Sequence, residues 1–216
     1  MKLVIFDLDG KLVHFHHDYL ISEAIRIKVE LGHPVVDPGT VHAAFEAFDF
    51  FRFVESAFNR AQYTERFWEL FNWAHFPKPT PLPNTLRVLE AIQDEGIAMG
   101  IATARLTPTT ELTLELESTT ISQYMAHIET RDRPETDWKD KTGQIARVCK
   151  ALGVRPQDAV IVGDIPPDIE SGKALGIGMT VAVASGGIRR DILEAANPDY
   201  LFDDISGLLE LVPRWR

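Results

Sequence analysis

Short apolar runs recur along this chain and alternate with segments of helical periodicity. Leu3–Phe6 contains no polar side chain, which is typical of a strand buried on both faces of a parallel sheet. Between the runs, apolar residues fall on one helical face, as at Leu86, Leu89 and Ile92 before Gly96. This alternation predicts an α/β fold with a doubly wound, Rossmann-like parallel sheet. The predicted strands are residues 3–6, 97–102, 159–162, 179–183 and 200–202.

One long segment, residues 12–84, interrupts the alternation with helical periodicity and no strand pattern. Nine of the twelve phenylalanines lie within 45–76, together with Trp68 and Trp73, and this apolar bulk is sufficient for a small core. Four prolines within 77–83 indicate a stiff, extended connector back to the sheet. The predicted domains are an α/β core, residues 1–11 and 85–216, and an all-helical insertion, residues 12–84.

The composition excludes several classes of partner. Acidic residues outnumber basic ones by 32 to 22, and a net charge of -10 argues against binding to a nucleic-acid backbone. No apolar run approaches the roughly 20 residues of a membrane helix, and the four apolar residues before Asp7 are too few for a signal peptide. The single cysteine, Cys149, falls on an apolar helical face, where a buried structural thiol is expected. We therefore expect a cytoplasmic protein.

Polar residues cluster where the predicted strands end, which is the edge of an open α/β sheet that binds ligands. Asp7 and Asp9 follow the first strand, Thr103 follows the second, and Asp164 follows another, with Asp168 four residues later. Carboxylates crowded together repel one another unless a hard cation neutralises them, and Mg²⁺ prefers oxygen ligands. This edge of the sheet therefore has the residue types of a magnesium site, with Asp7 and Asp164 as candidate side-chain ligands.

The same residues are suited to phosphate chemistry. Because alternate side chains on a strand point the same way, Asp7 and Asp9 lie on one side, where one could attack phosphorus and the other could transfer a proton. Gly10 allows the chain to turn away sharply after them and is also a candidate substrate-binding residue. The groups expected to hold the phosphoryl oxygens are the hydroxyl of Thr103, backbone N–H groups around Ala104 and the ammonium group of Lys141.

These residues resemble, in type and in order, the four motifs of the haloacid dehalogenase superfamily. The motifs are Asp7-Leu-Asp-Gly10, Thr103, Lys141 and Gly163-Asp-Ile-Pro-Pro-Asp168. Residues 82–89 and 168–176 are also similar to phosphoglycolate-phosphatase-like members, and the helical insertion resembles their C1-type cap. The resemblance extends over nearly the whole chain.

The resemblance implies a mechanism and a set of residue roles. Asp7 would form an aspartyl-phosphate, and Asp9 would act as general acid and base. Magnesium would bind Asp7, the Asp9 carbonyl and Asp164, with Asp168 as a further partner of the metal site. The implied activity is Mg²⁺-dependent hydrolysis of a small phosphomonoester, so that the expected partner is a small phosphorylated metabolite.

The sequence departs from the family pattern at two places. Lys11 stands where the family usually has threonine or a small β-branched residue, and it brings a positive charge beside the metal site that could lower or redirect activity. The lysine motif has two candidates, of which Lys141 is preferred to Lys139 because it heads a predicted helix. Arg105 is equally compatible with a substrate contact and with a solvated surface position. His14, His16 and His17 lack further ligands at zinc spacing and are interpreted as surface where the chain enters the cap.

Several alternatives remain open at this point. A phosphomutase of the same family would use the same chemistry, and Lys11 also favours a non-catalytic binding or regulatory protein with this fold. Dehalogenase activity is disfavoured because those relatives lack the second aspartate, which is present here as Asp9. Phosphonate cleavage would require a cap lysine, for which Lys28 is the candidate.

Overall fold

The computed structural model of the protein describes residues 1–72, 75–131 and 139–215, and only the backbone of residues 57 and 58. The chain forms two compact units. The larger unit comprises Met1–His14, Pro79–Gly186 and Arg190–Arg216. The smaller unit comprises Phe15–Lys78 and Gly187–Arg189.

The larger unit is built on a six-stranded, wholly parallel sheet with the strand order β3-β2-β1-β4-β5-β6. The strands are β1 (Leu3–Phe6), β2 (Ala98–Ala102), β3 (His127–Glu129), β4 (Ala159–Gly163), β5 (Met179–Val183) and β6 (Tyr200–Phe202). Its helices, with the labels used below, are α4 (Thr85–Asp94), α5 (Thr109–Glu117), α6 (Thr142–Ala151), α7 (Pro166–Ala174) and α8 (Arg190–Ala195). This strand order is that of the Rossmann-type doubly wound sheet, so the predicted fold class is confirmed.

Strand β1 is buried on both faces, as its uninterrupted apolar run predicted. Val4 and Phe6 belong to one hydrophobic cluster and Leu3 and Ile5 to another, because successive side chains of a strand point to opposite faces. All four side chains are fully buried. Since β1 pairs with β2 on one side and β4 on the other, its carboxyl end lies near the centre of the sheet.

The sequence did not predict strand β3. It has only three residues, and its two outer residues are the polar His127 and Glu129, whose side chains are 2.7 Å apart between Nε2 and Oε1. Only Ile128 is buried. A short edge strand with one apolar residue carries too little hydrophobic pattern to be recognised.

The smaller unit is helical and has an aromatic core. Its helices are α1 (His17–Glu30), α2 (Pro38–Glu46) and α3 (Ala57–Leu70). Its buried aromatic side chains are Phe45, Phe53, Tyr63, Phe67 and Phe71. Tyr63 donates a hydrogen bond of 2.6 Å to the Ala24 carbonyl, and Lys28 is buried with its Nζ 2.7 Å from Glu55 Oε1. The aromatic stretch therefore forms a core, while Trp73, which was expected in it, lies outside the described residues.

The main segment of the smaller unit, Phe15–Lys78, begins and ends slightly inside the insertion 12–84 expected from the sequence. Leu12 and Val13 are fully buried in the core of the larger unit. The Leu82 N–H donates to the Leu12 carbonyl at 3.0 Å, and the His14 N–H donates to the Thr80 carbonyl at 2.9 Å. These hydrogen bonds hold the outgoing and returning segments together in the larger unit.

The longest helices, α1 and α3, have 14 residues each. Within the described ranges, no helix combines the length and the apolar character that crossing a membrane would require.

The interior of the sheet supplies a test of the fold. Ile161 in β4 is fully buried, and replacing it with alanine should lower the free energy of unfolding by about 2 to 5 kcal/mol, because a cavity remains. The control is Val35→Ala, since Val35 is 75% exposed and should change this free energy by less than about 0.5 kcal/mol. Denaturant unfolding followed by circular dichroism measures both, and equal effects would contradict the described core.

Candidate active site

The site lies where the order of the sheet reverses, between the carboxyl ends of β1 and β4. Asp7 directly follows β1, Asp164 directly follows β4, and Asp168 lies in the first turn of α7. In doubly wound sheets this crevice is the usual ligand site. All three carboxylates are buried, and one oxygen of each lies within 4.8 Å of an oxygen of the other two.

Two buried ammonium groups hold the carboxylate of Asp7. Lys141 Nζ is 3.0 Å from Asp7 Oδ1, and Lys11 Nζ contacts Asp7 Oδ2. Burial alone would favour the neutral acid, but the two adjacent positive charges outweigh it and hold the pKa of Asp7 far below its ordinary value. Asp7 is therefore an anion in the folded protein.

Lys141 is placed by the start of helix α6. It occupies the position just before the helix, its N–H donates to Ser171 Oγ at 3.0 Å, and its side chain is almost completely buried. Its Nζ also lies 2.6 Å from Asp168 Oδ1. The second candidate of the sequence, Lys139, is exposed. The structure thus brings Lys141 to the aspartates, while its role in binding phosphate stays a prediction.

Asp168 has both carboxylate oxygens engaged. While Oδ1 accepts from Lys141, Oδ2 accepts from the backbone N–H groups of Asp164 at 3.1 Å and Ile165 at 3.3 Å. A side chain at Gly163 would place its Cβ 2.1 Å from Asp168 Oδ2, so the carboxylate depends on glycine there. Asp168 therefore ties the end of β4 to α7 and positions Lys141.

Lys11 is the unexpected member of the site. Its side chain is fully buried, and its Nζ contacts both Asp7 Oδ2 and Asp164 Oδ1. Burial works against its charged form, but the carboxylates of Asp164 and Asp7 prevail and hold the pKa of Lys11 above its ordinary value. The sequence indicated an extra charge near the metal site. The structure places that charge between two of the expected metal ligands.

Asp164 is less well compensated than Asp7. Burial raises its pKa, and the negative charges of Asp7 and Asp168 raise it further, while Lys11 opposes them only in part. The result is a pKa of about 7. Asp7 contacts two ammonium groups and Asp164 only one, so Asp164 retains a proton more readily than Asp7.

Glycines allow the loops to approach Asp164 closely. Gly10 has a φ of +78°, and a Cβ there would lie 2.3 Å from Asp164 Oδ2. A Cβ at Gly186 would lie 1.3 Å from the same oxygen. Ser185 Oγ donates to the Gly10 carbonyl at 2.6 Å and fixes the loop after β5 against the turn after β1. Sequence reasoning identified Gly10 as a turn but missed Ser185 and Gly186, which no motif marked.

Asp9 pairs with Arg105 and is not a member of the carboxylate cluster. The guanidinium donates through Nε to Asp9 Oδ2 at 2.8 Å and through Nη2 to Asp9 Oδ1 at 2.6 Å, a bidentate pair. Arg105 Nη1 also lies 3.2 Å from Glu115 Oε2. Of the two interpretations of Arg105, the solvated surface position is wrong, because the residue is buried. The sequence gave no signal for its pairing with Asp9.

Thr103 follows β2 and is almost completely buried. Its N–H donates to the Glu129 carbonyl at 3.0 Å, and its Oγ1 accepts from the Arg105 N–H at 3.3 Å. Ala104, between them, is partly exposed. Their assignment to the phosphoryl oxygens stays a prediction, as does that of Gly10.

Comparison with known proteins agrees with this geometry. The family model for haloacid dehalogenase-like hydrolases matches residues 4–183. The chain belongs to the haloacid dehalogenase-like hydrolases. A pyrophosphatase PpaX of Bacillus mycoides is 27% identical over 224 residues, covering 99% of this chain and 98% of the relative. A pyrophosphatase PpaX of Oceanobacillus iheyensis is 31% identical over 133 residues, covering 62% of this chain and 60% of the relative.

Solved structures of this family have the same fold. A haloacid dehalogenase-like hydrolase of Streptococcus pneumoniae superposes with a TM-score of 0.74 at 20% identity, covering 100% of this chain and 99% of the other. A predicted phosphatase of Clostridium acetobutylicum gives a TM-score of 0.77 at 17% identity, with 99% and 98% covered. The predictions of the superfamily and of a hydrolase are confirmed.

The haloacid dehalogenase-like site contains a buried carboxylate cluster of the kind that holds a metal ion, but Lys11 occupies part of this cluster. The cluster, Asp7, Asp164 and Asp168, offers the oxygen donors that Mg²⁺ prefers. However, the Lys11 ammonium group already contacts Asp7 and Asp164, the two side chains that would hold the cation. Asp168 is engaged by Lys141 and backbone N–H groups. With Lys11 in this position, the residues do not fit a divalent cation.

The other metal hypothesis concerned the histidines. Across residues 1–72, 75–131 and 139–215, the aspartate cluster is the only group of three or more His, Cys, Asp or Glu side chains arranged to hold an ion. His14, His16 and His17 therefore do not form such a group within these ranges. Cys149 is buried in the core of the larger unit, and burial raises the pKa of its thiol, in agreement with a structural role.

The two lysines of the third motif form a matched pair for a stability test. Lys141→Met should lower the free energy of unfolding by about 3 to 5 kcal/mol, because it leaves Asp7 and Asp168 short of a buried cation. Lys139→Met should change it by less than about 0.5 kcal/mol, since Lys139 is exposed. Urea unfolding at neutral pH provides the measurement, and the reverse order would refute the placement of Lys141.

The raised pKa of Asp164 predicts a pH dependence of stability. The folded state retains the proton up to about pH 7, and the unfolded state loses it near 3.8. The protonated Asp164 carboxyl therefore contributes to the stability of the folded state. This contribution is complete below pH 3.8 and declines as the pH rises to about 7. It changes the free energy of unfolding by on the order of 1 kcal/mol per pH unit.

The test compares this free energy at pH 5 and pH 7 in the wild type and in Asp164→Asn, which cannot titrate. We expect a smaller decrease in the variant. The control is Asp94→Asn, because Asp94 is exposed at the end of α4 and should leave the pH profile unchanged. Parallel profiles for wild type and Asp164→Asn would contradict the raised pKa.

Proposed function

We propose that this protein is a phosphatase that hydrolyses a small phosphorylated molecule, with Asp7 as the nucleophile. The observation that carries the proposal is the buried, ionised Asp7 carboxylate at the switch point of the sheet, with Lys141 Nζ 3.0 Å away. A carboxylate there can attack an electrophile bound at the sheet edge, and an adjacent ammonium group can neutralise phosphoryl oxygens.

In the first half of the reaction, an Asp7 oxygen would form a bond to phosphorus as the bond to the leaving oxygen breaks. Each carboxylate oxygen keeps a lone pair in addition to the one that faces a lysine, so the contacts with Lys11 and Lys141 do not prevent attack. The leaving oxygen would take a proton from Asp9. The product of this step is an aspartyl-phosphate on Asp7.

In the second half, water would attack the phosphorus of the aspartyl-phosphate and give up a proton to Asp9, which restores both aspartates and releases phosphate. Arg105 orients Asp9 by donating two hydrogen bonds to its carboxylate, so the proton that Asp9 gives to the leaving oxygen would reach it with the substrate, and the proton taken from water would leave with the product phosphate. Lys141 would hold a phosphoryl oxygen in both steps, since Asp168 keeps its ammonium group at the site.

The substrate class is proposed from the relatives as well as from the site. The relatives named above are called pyrophosphatases, and one structural neighbour is called a predicted phosphatase. We therefore place inorganic pyrophosphate beside small phosphomonoesters among the candidate substrates. The role of the helical unit as a cap and the cytoplasmic location stay predictions. The family resemblance also implies a magnesium requirement, which the position of Lys11 argues against, and no step above depends on it.

The test is phosphate release from p-nitrophenyl phosphate, inorganic pyrophosphate and a panel of small phosphate esters. Asp7→Asn should lower kcat by about 1,000-fold or more, because the amide cannot form the covalent intermediate. Asp94→Asn is the matched control and should retain wild-type kcat, since Asp94 is exposed in α4. Circular dichroism establishes that each variant is folded.

Two outcomes would overturn the proposal. The first is wild-type turnover in a folded Asp7→Asn variant, which would exclude Asp7 as nucleophile. The second is the absence of phosphate release by the wild type from every substrate, with and without Mg²⁺, which would favour a binding protein with this fold.

A further inference from the structure

Lys11 has a position that the proposed reaction does not require. Its Nζ lies between Asp7 and Asp164, the two residues that the family resemblance assigns as side-chain ligands of magnesium. Lys141 already supplies a cation to Asp7 and Asp168. With Lys11, each of the three carboxylates contacts an ammonium group, so the acidic cluster is neutralised largely by the chain itself.

The turn after β1 fixes the start of the Lys11 side chain. The Leu12 and Val13 N–H groups donate to the Leu8 carbonyl at 3.0 and 3.2 Å, and the Gly10 N–H donates to the Val13 carbonyl at 2.8 Å. Leu8, Leu12 and Val13 are all fully buried. The backbone on both sides of Lys11 is therefore anchored in the core, and its side chain runs back toward Asp7.

We propose that the Lys11 ammonium group is the resident cation of this site and takes the place that a divalent metal would otherwise occupy between Asp7 and Asp164. A divalent metal held by Asp7 and Asp164 would compete with Lys11, whose Nζ contacts an oxygen of each carboxylate. Two cations cannot share this position, and in a buried site their repulsion is only weakly screened. The protein therefore keeps its nucleophile ionised and oriented without magnesium.

This inference has a binding part and a catalytic part. The binding part states that the wild type does not hold a divalent cation between Asp7 and Asp164, and it is independent of activity. The catalytic part states that turnover does not require magnesium, and it rests on the proposed function. The two parts are measured separately, so that failure of the proposed function is distinguished from failure of the inference.

The binding part is tested with Mn²⁺, a paramagnetic ion with the same preference for carboxylate oxygens as Mg²⁺. Electron paramagnetic resonance counts the bound Mn²⁺ in metal-free wild type, in Lys11→Thr and in Lys139→Met. We expect no ion at this site in the wild type or in Lys139→Met. Lys11→Thr removes the ammonium and should bind one Mn²⁺ at concentrations at least about tenfold below any at which the wild type takes up an ion at this site.

A thermal melt gives a second readout. In Lys11→Thr, Asp7 and Asp164 lose their shared cation, so the melting temperature should fall in EDTA and rise again as Mg²⁺ is added. Lys11→Met also removes the charge but keeps a side chain of similar length in the same space. Its melting temperature should fall in EDTA and should not recover in Mg²⁺. A recovery in Lys11→Thr alone is then due to metal binding in the space that Lys11 vacates, and not to the loss of charge.

One Mn²⁺ bound to the wild type and lost in Asp164→Asn would overturn the inference, and so would a folded Lys11→Thr that binds no ion. If Lys11→Thr does not fold, the wild-type measurement decides alone. For the catalytic part, wild-type turnover should be equal in EDTA and in Mg²⁺, and loss of turnover in EDTA would overturn it. Absence of turnover in both solutions would refute the proposed function and leave the binding result standing.

Discussion

The Asp7 carboxylate is held between two buried ammonium groups, and the other groups of the site are arranged around this pairing. A buried carboxylate remains ionised only if positive charge or hydrogen bonds compensate for its desolvation. Lys141 and Lys11 supply that charge from opposite sides, one oxygen each. Their own burial is in turn tolerable only because Asp164 and Asp168 face them. Removal of Lys11 leaves Asp164 without its ammonium partner, and removal of Lys141 does the same to Asp168.

The sheet brings these residues together from distant parts of the chain. Asp7 and Asp164 meet because β1 and β4 are neighbours in the sheet. The same pairing brings Lys11 to Asp164, which is 153 residues away in the sequence. Lys141 arrives at the start of α6, and Asp168 holds it there from the first turn of α7. Glycines at 10 and 186 then let two loops close on Asp164. The site is therefore a property of the parallel sheet and of the short connections that follow its strands.

The sequence was sufficient to predict the parts of this arrangement that depend only on residues close together in the chain. The apolar run before Asp7 predicted a buried strand, and Asp164 and Asp168 followed a second such run. The pairing of Arg105 with Asp9 spans 96 residues and has no motif, so only the folded chain could reveal it. The same holds for Lys11. Its charge was visible in the sequence, but its place between two carboxylates depends on a turn and on neighbouring strands.

The central claim is that Lys11, rather than a metal ion, bridges Asp7 and Asp164 beside the nucleophile. The most direct measurement is a high-resolution crystal structure of the wild type grown in a high concentration of Mg²⁺. The account predicts the Lys11 ammonium group between the two carboxylates, with Asp7 also in contact with Lys141. An ion coordinated by Asp7 and Asp164, with the Lys11 side chain displaced from the site, would contradict it.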